Sequence, residues 1–365
     1  MSTPLKIAII GYGGFGRFLM DTWSHLDQVT VSMVVDSDPN RLPISEGLTT
    51  STRWQDVLDA PDIQLVVIVT APSSHADIAV ACMQAGKHVF IEKPVALSIE
   101  DYDRILDARN QTGRAASIDH IMRFNPLLMT LKSIIDSGAL GNLRRADIEN
   151  YAQDETMPAD HWFWKPDVSG GILIEHAVHF IDLIHYFQPS EITAITGMRS
   201  VRDTGMEDQV MASVTYADGL IATHYHSFAR PTFFETTSIR LSFDLADIDL
   251  HGWVPLSGRI NVTTDQAGWK RLHTLPGFQV TRTHPLNPRI IRSSGIPYSI
   301  DVHLEATFGL NESKDAVYRS CVQDSLLNLV RHIRQPDLEA LKAPLEIGLP
   351  CLHIGLTANS MARSH

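Results

Sequence analysis

Four residues able to move protons are set into an apolar run, GGILIEHAVHFID at 170–182: Glu175, His176, His179 and Asp182. The spacing predicts one helix over Ile172–Phe187, on which Glu175, His179 and Asp182 recur at intervals of four and three and share a face with Ile172. His176 is turned about 100° away from that face, and His185 also points elsewhere. An imidazole can take or give a proton near neutral pH. Asp182, one turn beyond His179, can fix its tautomer by accepting the ring proton, and Glu175, one turn before, adds an acceptor. The same pattern also suits a capped helix with core histidines paired for solubility. Zinc is a poor match, because the order is E-H-x-x-H and not H-E-x-x-H. A third ligand would have to come from afar, from His161, His224 or His226, so no metal is expected.

A further candidate is Lys93. It follows the apolar strand His88–Ile91, where a parallel sheet binds ligands at its carboxyl edge, and Pro94 stiffens the backbone beside it. A lone loop lysine is otherwise a solvated charge.

The elements that must hold these groups follow from the patterning. Lys6–Ile10 is a short strand, and Gly11-Tyr12-Gly13-Gly14-Phe15-Gly16 is a glycine turn. A helical run passes through Phe18, Leu19, Trp23 and Leu26, and the strand Val29–Val35 ends at Asp36. Strand, glycine turn, helix, strand and acid form a dinucleotide-binding pattern in its expected context. Gly11 permits the tight turn, Gly13 lets backbone approach a pyrophosphate, and Gly16 lets helix and strand pack closely. The helix N-terminus supplies N–H donors to the phosphates, and Gly14 and Phe15 join the expected cofactor contacts. Asp36 can accept from the adenosine ribose and repels a 2′-phosphate, which favours NAD. Arg41 nearby keeps NADP open. Ser37, Pro72, Ser73, His75, Glu92 and Lys93 complete the expected cofactor contacts; Pro72 and Ser73 fit an ordinary cap equally well.

The alternation continues through a short helix at Trp54–Leu58, the strand Leu65–Thr70, a helix to Ala85 and a helix over Ile99–Ala108. It ends with the strand Ala115–Ile118. After Arg123 the pattern changes to short strands with turns such as Ala217-Asp218-Gly219, which predicts a mainly antiparallel sheet. Residues 252–312 show little periodicity; a strand and irregular connections are expected there, then helices over Lys314–His332 and Ile347–Met361. The predicted fold is α/β, a Rossmann-type doubly wound parallel sheet over 1–122. It is followed over 123–365 by an α+β domain with an open, mainly antiparallel sheet, its C-terminal segment free to pack back on the first domain. In the second domain, His161, Trp162 and Trp164 are candidates for a sugar platform; the tryptophans fit plain packing equally. Arg123 can reach substrate or anchor the junction between domains.

Composition bounds the rest. With 365 residues, 44% hydrophobic and 20% charged, the chain suits two globular domains. A net charge of −12 argues against a broad nucleic-acid surface. No run reaches the roughly 20 apolar residues of a membrane span, and the N-terminus lacks a signal-peptide layout. Cys82, Cys321 and Cys351 are scattered and odd in number. A reducing, cytoplasmic setting is expected.

Three passages together, GYGGFG at 11–16, AGKHVFIEKP at 85–94 and GGILIEHAVHFID at 170–182, resemble the glucose-fructose oxidoreductase / inositol dehydrogenase / rhizopine catabolism (Gfo/Idh/MocA) family of NAD(P)-dependent oxidoreductases. The resemblance covers essentially the whole chain. In catalytically active relatives, the lysine of Glu-Lys-Pro contacts the reacting hydroxyl, and Lys93 matches it. A histidine of the later helix acts as acid/base, and His179 matches it. The acid four residues earlier is most often aspartate; here it is Glu175, one methylene longer. The helix position often held by glycine is Ala177. The resemblance implies hydride transfer between a nicotinamide and a polyol, cyclitol or sugar, with Lys93, His179 and Glu175 catalytic and Asp182 orienting. Arg123, His161, Trp162, Trp164, Glu175, His176 and His179 would then be available to substrate. It also implies a homodimer or homotetramer assembled through the second domain. The family contains non-enzymatic regulators and NAD-dependent glycosidases too, which stand as alternatives.

Overall fold

In this computed structural model, residues 3–364 are described. The chain begins β1 (Leu5–Ile10), α1 (Gly14–Trp23), β2 (Val29–Val35), β3 (Thr49–Ser51), β4 (Leu65–Ile68), α2 (His75–Gln84), β5 (His88–Ile91), α3 (Ile99–Thr112) and β6 (Ala116–Ile118). These six strands form one parallel sheet in the order β3-β2-β1-β4-β5-β6. Every residue of β4 is buried, as expected for a central strand covered on both faces. Ser98 starts α3 by accepting from the Asp101 N–H at 3.1 Å, and Gly113, at φ +64°, ends it.

The chain continues with α4 (Pro126–Asp136), β7 (Leu143–Gln153), and the short helices α5 (Pro166–Ser169) and α6 (Ile172–Glu175), then α7 (Val178–Phe187). Next come β8 (Ile192–Val201), β9 (Glu207–Tyr216), β10 (Ile221–Arg230), β11 (Thr236–Phe243), β12 (Ala246–His251) and β13 (Ser257–Thr264). The last elements are α8 (Gln266–Leu272), β14 (Gln279–Ser293), β15 (Ile296–Gly309), α9 (Lys314–Arg334), α10 (Gly348–Met361) and β16 (Arg363–Ser364). Strands β7 to β16 build a ten-stranded sheet, parallel only at β7–β10 and β8–β16. Burial alternates strictly along β9, so this sheet has one packed face and one partly exposed face.

The fold divides into two compact units. The first comprises residues 1–121, 161–178 and 319–356; the second comprises 122–160, 179–318 and 357–365. In the first unit the late segment completes the parallel sheet's surroundings. Ile118 N–H donates to Ala343 O at 2.9 Å, the Tyr102 hydroxyl donates to Leu345 O, and Trp23 Nε1 donates to Val322 O at 3.3 Å. No helix among the described residues is long and apolar enough to cross a membrane.

Two expectations are corrected. The run over Ile172–Phe187 is not one helix: α6 stops at Glu175, a turn occupies His176 and Ala177, and α7 restarts at Val178. The Ala177 N–H reaches back five residues to Ile172 O at 3.0 Å, a wide closure that inserts an extra residue into the ladder. The even spacing of Glu175, His179 and Asp182 therefore does not translate into one helical face. Residues 252–312 are likewise richer than expected, holding β13, α8, β14 and β15. Nearly all of β14 is exposed and its register slips twice, near Val280 and between Pro285 and Arg289, so no alternation marks it in the sequence.

Candidate active site

The glycine turn joins β1 to α1. Gly11 has φ +98°, and a Cβ there would lie 2.5 Å from Val69 O, so only glycine fits. A Cβ on Gly16 would lie 2.1 Å from Gly11 O, which fixes the close packing of helix on turn. Gly13 and Gly14 differ. The nearest atom to a Cβ on Gly13 would be Arg41 Nη1 at 3.8 Å, and Gly14 meets nothing within 4 Å. The bare backbone thus opens onto a cavity of about 520 Å³ lined by the turn, Asp36, Ser37, Arg41, Thr70 and Trp162 among others. No side chain caps α1 and no acid lies in its first turn, leaving its N–H groups for an anion.

Asp36 closes one side. Its carboxylate accepts from Tyr12 N at 2.7 Å and Asp38 N at 2.9 Å, and Arg41 Nη1 stands 3.8 Å away. Cradle, helix start and fixed acid fit a dinucleotide's pyrophosphate and ribose. Gly16→Ala is expected to cost about 1–3 kcal/mol of stability and to weaken NAD binding, because helix and turn must part. Thermal unfolding with and without NAD reads both effects.

The expected cofactor contacts divide. The turn, Asp36 and Ser37 line the cavity. At the end of β4 its wall is Thr70, Ala71 and Ser74, whereas Pro72 is buried and Ser73 is exposed outside it. His75 is buried with its ring nitrogens 2.8 Å from Pro94 O and 3.0 Å from Thr70 O, so it ties the end of β4 to the Lys93–Pro94 turn. Burial pushes its pKa down. Trp162, a candidate for a sugar platform or for plain packing, lines the same cavity as the glycine turn. Thr52 and Trp54 also line it and were missed; their signal is position, just beyond the carboxyl end of β3.

Lys93 lies beyond β5, at the same carboxyl edge. Its ammonium donates to the Glu175 carboxylate and, at 2.9 Å, to Glu175 O, with side chains 14% and 12% exposed. An ion pair this shielded is held by geometry as well as charge. His176 follows at the turn, its pKa pushed down to about 4 chiefly by burial, against the pull of Glu175. Glu92 is buried and accepts from Lys93 N at 3.1 Å. Burial first, then Asp119, pushes its carboxyl well above the usual range. Asp119 was also missed, since nothing around it in the sequence marks it.

In the second unit, His179 is buried with its ring edge against Trp253 at 5.1 Å, and Trp253 packs on Tyr318. Both oxygens of Asp182 accept from Arg123 Nε, at 3.0 and 2.8 Å, and Arg123 Nη2 adds 2.8 Å to Oδ1. The Arg123 guanidinium stacks over Tyr186. Arg123 is therefore anchored by Asp182. His224 and His226 are fully buried on β10. His161 caps a short turn by accepting from Phe163 N at 3.3 Å and tilts against Trp162, while Trp164 meets Phe163 edge-on.

A six-stranded parallel sheet whose first turn is cut to a dinucleotide's shape defines a Rossmann-type dinucleotide-binding class. Comparison with known proteins narrows it. A family model described as "Oxidoreductase family, NAD-binding Rossmann fold" matches residues 5–120, and one described as "GFO/IDH/MocA C-terminal domain" matches 128–243. The chain belongs to the Gfo/Idh/MocA family. It is 29% identical to a scyllo-inositol 2-dehydrogenase (NAD(+)) of Bacillus subtilis over 166 residues, 45% of this chain and 47% of that one. It is 32% identical to a levoglucosan dehydrogenase of Pseudarthrobacter phenanthrenivorans over 162 residues, 42% and 40% of the two chains. The chain spans about half the length of these curated relatives. The crystal structure of myo-inositol 2-dehydrogenase from Lactobacillus plantarum superposes with a TM-score of 0.73 over 98% of this chain and 97% of that one; at 20% identity it shows the fold.

Proposed function

We propose that the protein is an NAD-dependent dehydrogenase acting between a hydroxyl and a carbonyl of a polyol, cyclitol or sugar. The observation that carries it is the Lys93–Glu175 pair, an ammonium held at the carboxyl edge of the nucleotide-binding sheet by a shielded carboxylate. The nicotinamide, when bound, supplies the hydride acceptor. Lys93 hydrogen-bonds the reacting oxygen and stabilises its developing charge. His179 takes the hydroxyl proton, and Glu175 holds Lys93 and can meet a neighbouring hydroxyl. The inositol and levoglucosan dehydrogenases among the relatives support this substrate class. Asp36, fixed by two backbone N–H groups, supports NAD over NADP; the pairing of Arg41 with it limits what Arg41 offers a 2′-phosphate. The buried thiols Cys82, Cys321 and Cys351 support a reducing, cytoplasmic setting.

The test is reduction of NAD and of NADP with a panel of polyols, cyclitols and aldoses. Turnover with NAD on one of these is expected. Glycoside cleavage without net reduction would indicate a glycosidase, and tight ligand binding without either reaction would indicate a sensor. The partly exposed face of the ten-stranded sheet, with Met198 and Ile221 among its exposed apolar residues, supports assembly into a homodimer or homotetramer. Sedimentation showing only a 40.6 kDa species would sink that part.

A further inference from the structure

Strands β5 and β6 run parallel with Ile91 opposite Ile118, so the next residues, Glu92 and Asp119, leave the sheet side by side. The ladder extends one step past the strands: Asp119 N–H donates to Ile91 O at 3.0 Å, and Glu92 N–H donates to Ile68 O at 3.0 Å. Both side chains are therefore aimed the same way, with Glu92 8% and Asp119 1% exposed. Neighbouring strands lie about 4.8 Å apart, so in-register carboxyl groups at this edge stand side by side, and each bears on the other's charge. Among the described residues no hydrogen bond is made to the buried Asp119 Oδ1. Two carboxylates offer each other only lone pairs and repel; one proton between them turns that repulsion into a hydrogen bond.

We propose that Glu92 and Asp119 share a single proton, forming a dyad of net charge −1 that positions Lys93. The neighbours are consistent with one negative charge. On the chain beside Glu92 stands the Lys93 ammonium. From α9, the Ser325 hydroxyl bears on Asp119 and favours its ionised form, and the Cys321 thiol, itself faced by Asp324, stands nearby; burial pushes that thiol up to about 12, so it stays neutral. Lys93 is the cation that faces the pair, and Glu175 already balances it from the other side. With the proton between the carboxyls, Glu92 Oε2 remains an acceptor for Lys93 N–H. Loss of the proton would place two negative charges beside Lys93 and compete with Glu175 for its ammonium. A second proton would weaken the charged acceptor that fixes its backbone. Because coupled carboxyls lose their protons in two well-separated steps, the charge seen by Lys93 stays constant across the neutral range. Glu92 and Asp119 are positioning residues in this scheme, whose functional half rests on the role given to Lys93 above.

The linkage sign gives a test that needs no substrate. Above the ordinary carboxylate range the unfolded chain releases both protons while the folded chain keeps one. Wild-type stability therefore falls with rising pH relative to a variant lacking the dyad. Asp119→Asn can donate to Glu92 without a shared proton. The folding constant of wild type relative to Asp119→Asn is expected to fall by about tenfold per pH unit above about pH 5 until the dyad ionises. Infrared spectra of the full chain at neutral pH should show the carbonyl stretch of an un-ionised carboxyl, shifted in heavy water and lost in Asp119→Asn. If Asp119→Asn does not fold, Glu92→Gln is read by the same band. A wild type without that band, or a band unchanged in the variant that folds, overturns the dyad. A dyad confirmed in a protein that turns over no substrate would overturn only the dehydrogenase reading.

Discussion

His179→Ala is expected to lower kcat by roughly 10²- to 10⁴-fold while NAD still binds. The imidazole is buried against the edge of Trp253, in surroundings where bulk water is a poor substitute for a positioned base. On the proposed assignment, its loss removes the positioned base for the hydroxyl proton as the carbon gives up its hydride. The loss should fall on kcat and kcat/KM alike, because the interaction is made only in the transition state. Added imidazole should restore part of the rate by entering the vacated space. The decisive measurement is steady-state turnover on the substrate found by screening, with NAD affinity titrated separately. Near-normal turnover would return His179 to a packing role beneath Trp253.

Lys93→Ala should cost roughly 10²- to 10³-fold, the scale seen when one donor to a developing oxyanion is removed. Stability should also fall, because Glu175 is left charged and shielded. That loss should stay below the roughly 3–5 kcal/mol typical of breaking a fully buried pair, since both side chains keep some solvent contact. Glu175→Gln separates the two effects: Lys93 keeps its charge and loses its anchor, so turnover falls less than in Lys93→Ala. Glu175→Asp keeps the charge and shortens the arm, and is expected to shift substrate affinity more than maximal rate. Chemical denaturation with turnover on the same samples distinguishes these outcomes. Equal rates for Lys93→Ala and wild type would remove Lys93 from the chemistry.

What the sequence made legible was local. The glycine turn, the acid after β2 and Lys93 beyond β5 each depend on a few consecutive residues whose backbone needs are strict, and the parallel sheet follows from buried strands separated by helices. What it hid required knowledge of neighbours. The break at His176 and Ala177 is invisible in an apolar run with good helical spacing, because Ala177 is itself a good helix former. Asp119 carries no motif; only the pairing of β5 with β6 brings it to Glu92. The aromatic cluster at Trp162 suits a sugar or plain packing equally, and its place against the glycine turn comes from the chain's return to the first unit. The strand β14 escaped notice because an exposed edge has no core face to write into its pattern.

The first unit is written in three separate lengths of chain, the last of them residues 319–356. As the polypeptide leaves the ribosome, the acceptors for Trp23, Tyr102 and Ile118 lie at Val322, Leu345 and Ala343, and emerge only after strands β7 to β15 have been synthesised. Until then the nascent nucleotide-binding half carries buried donors without their acceptors and a core open along one flank. The half is thus not a portable cassette. A gene fusion that transplants only the first 122 residues would inherit the glycine turn and Lys93 without the segments that hold them, and a stop codon shortly before residue 319 would disable a binding site encoded some three hundred residues upstream.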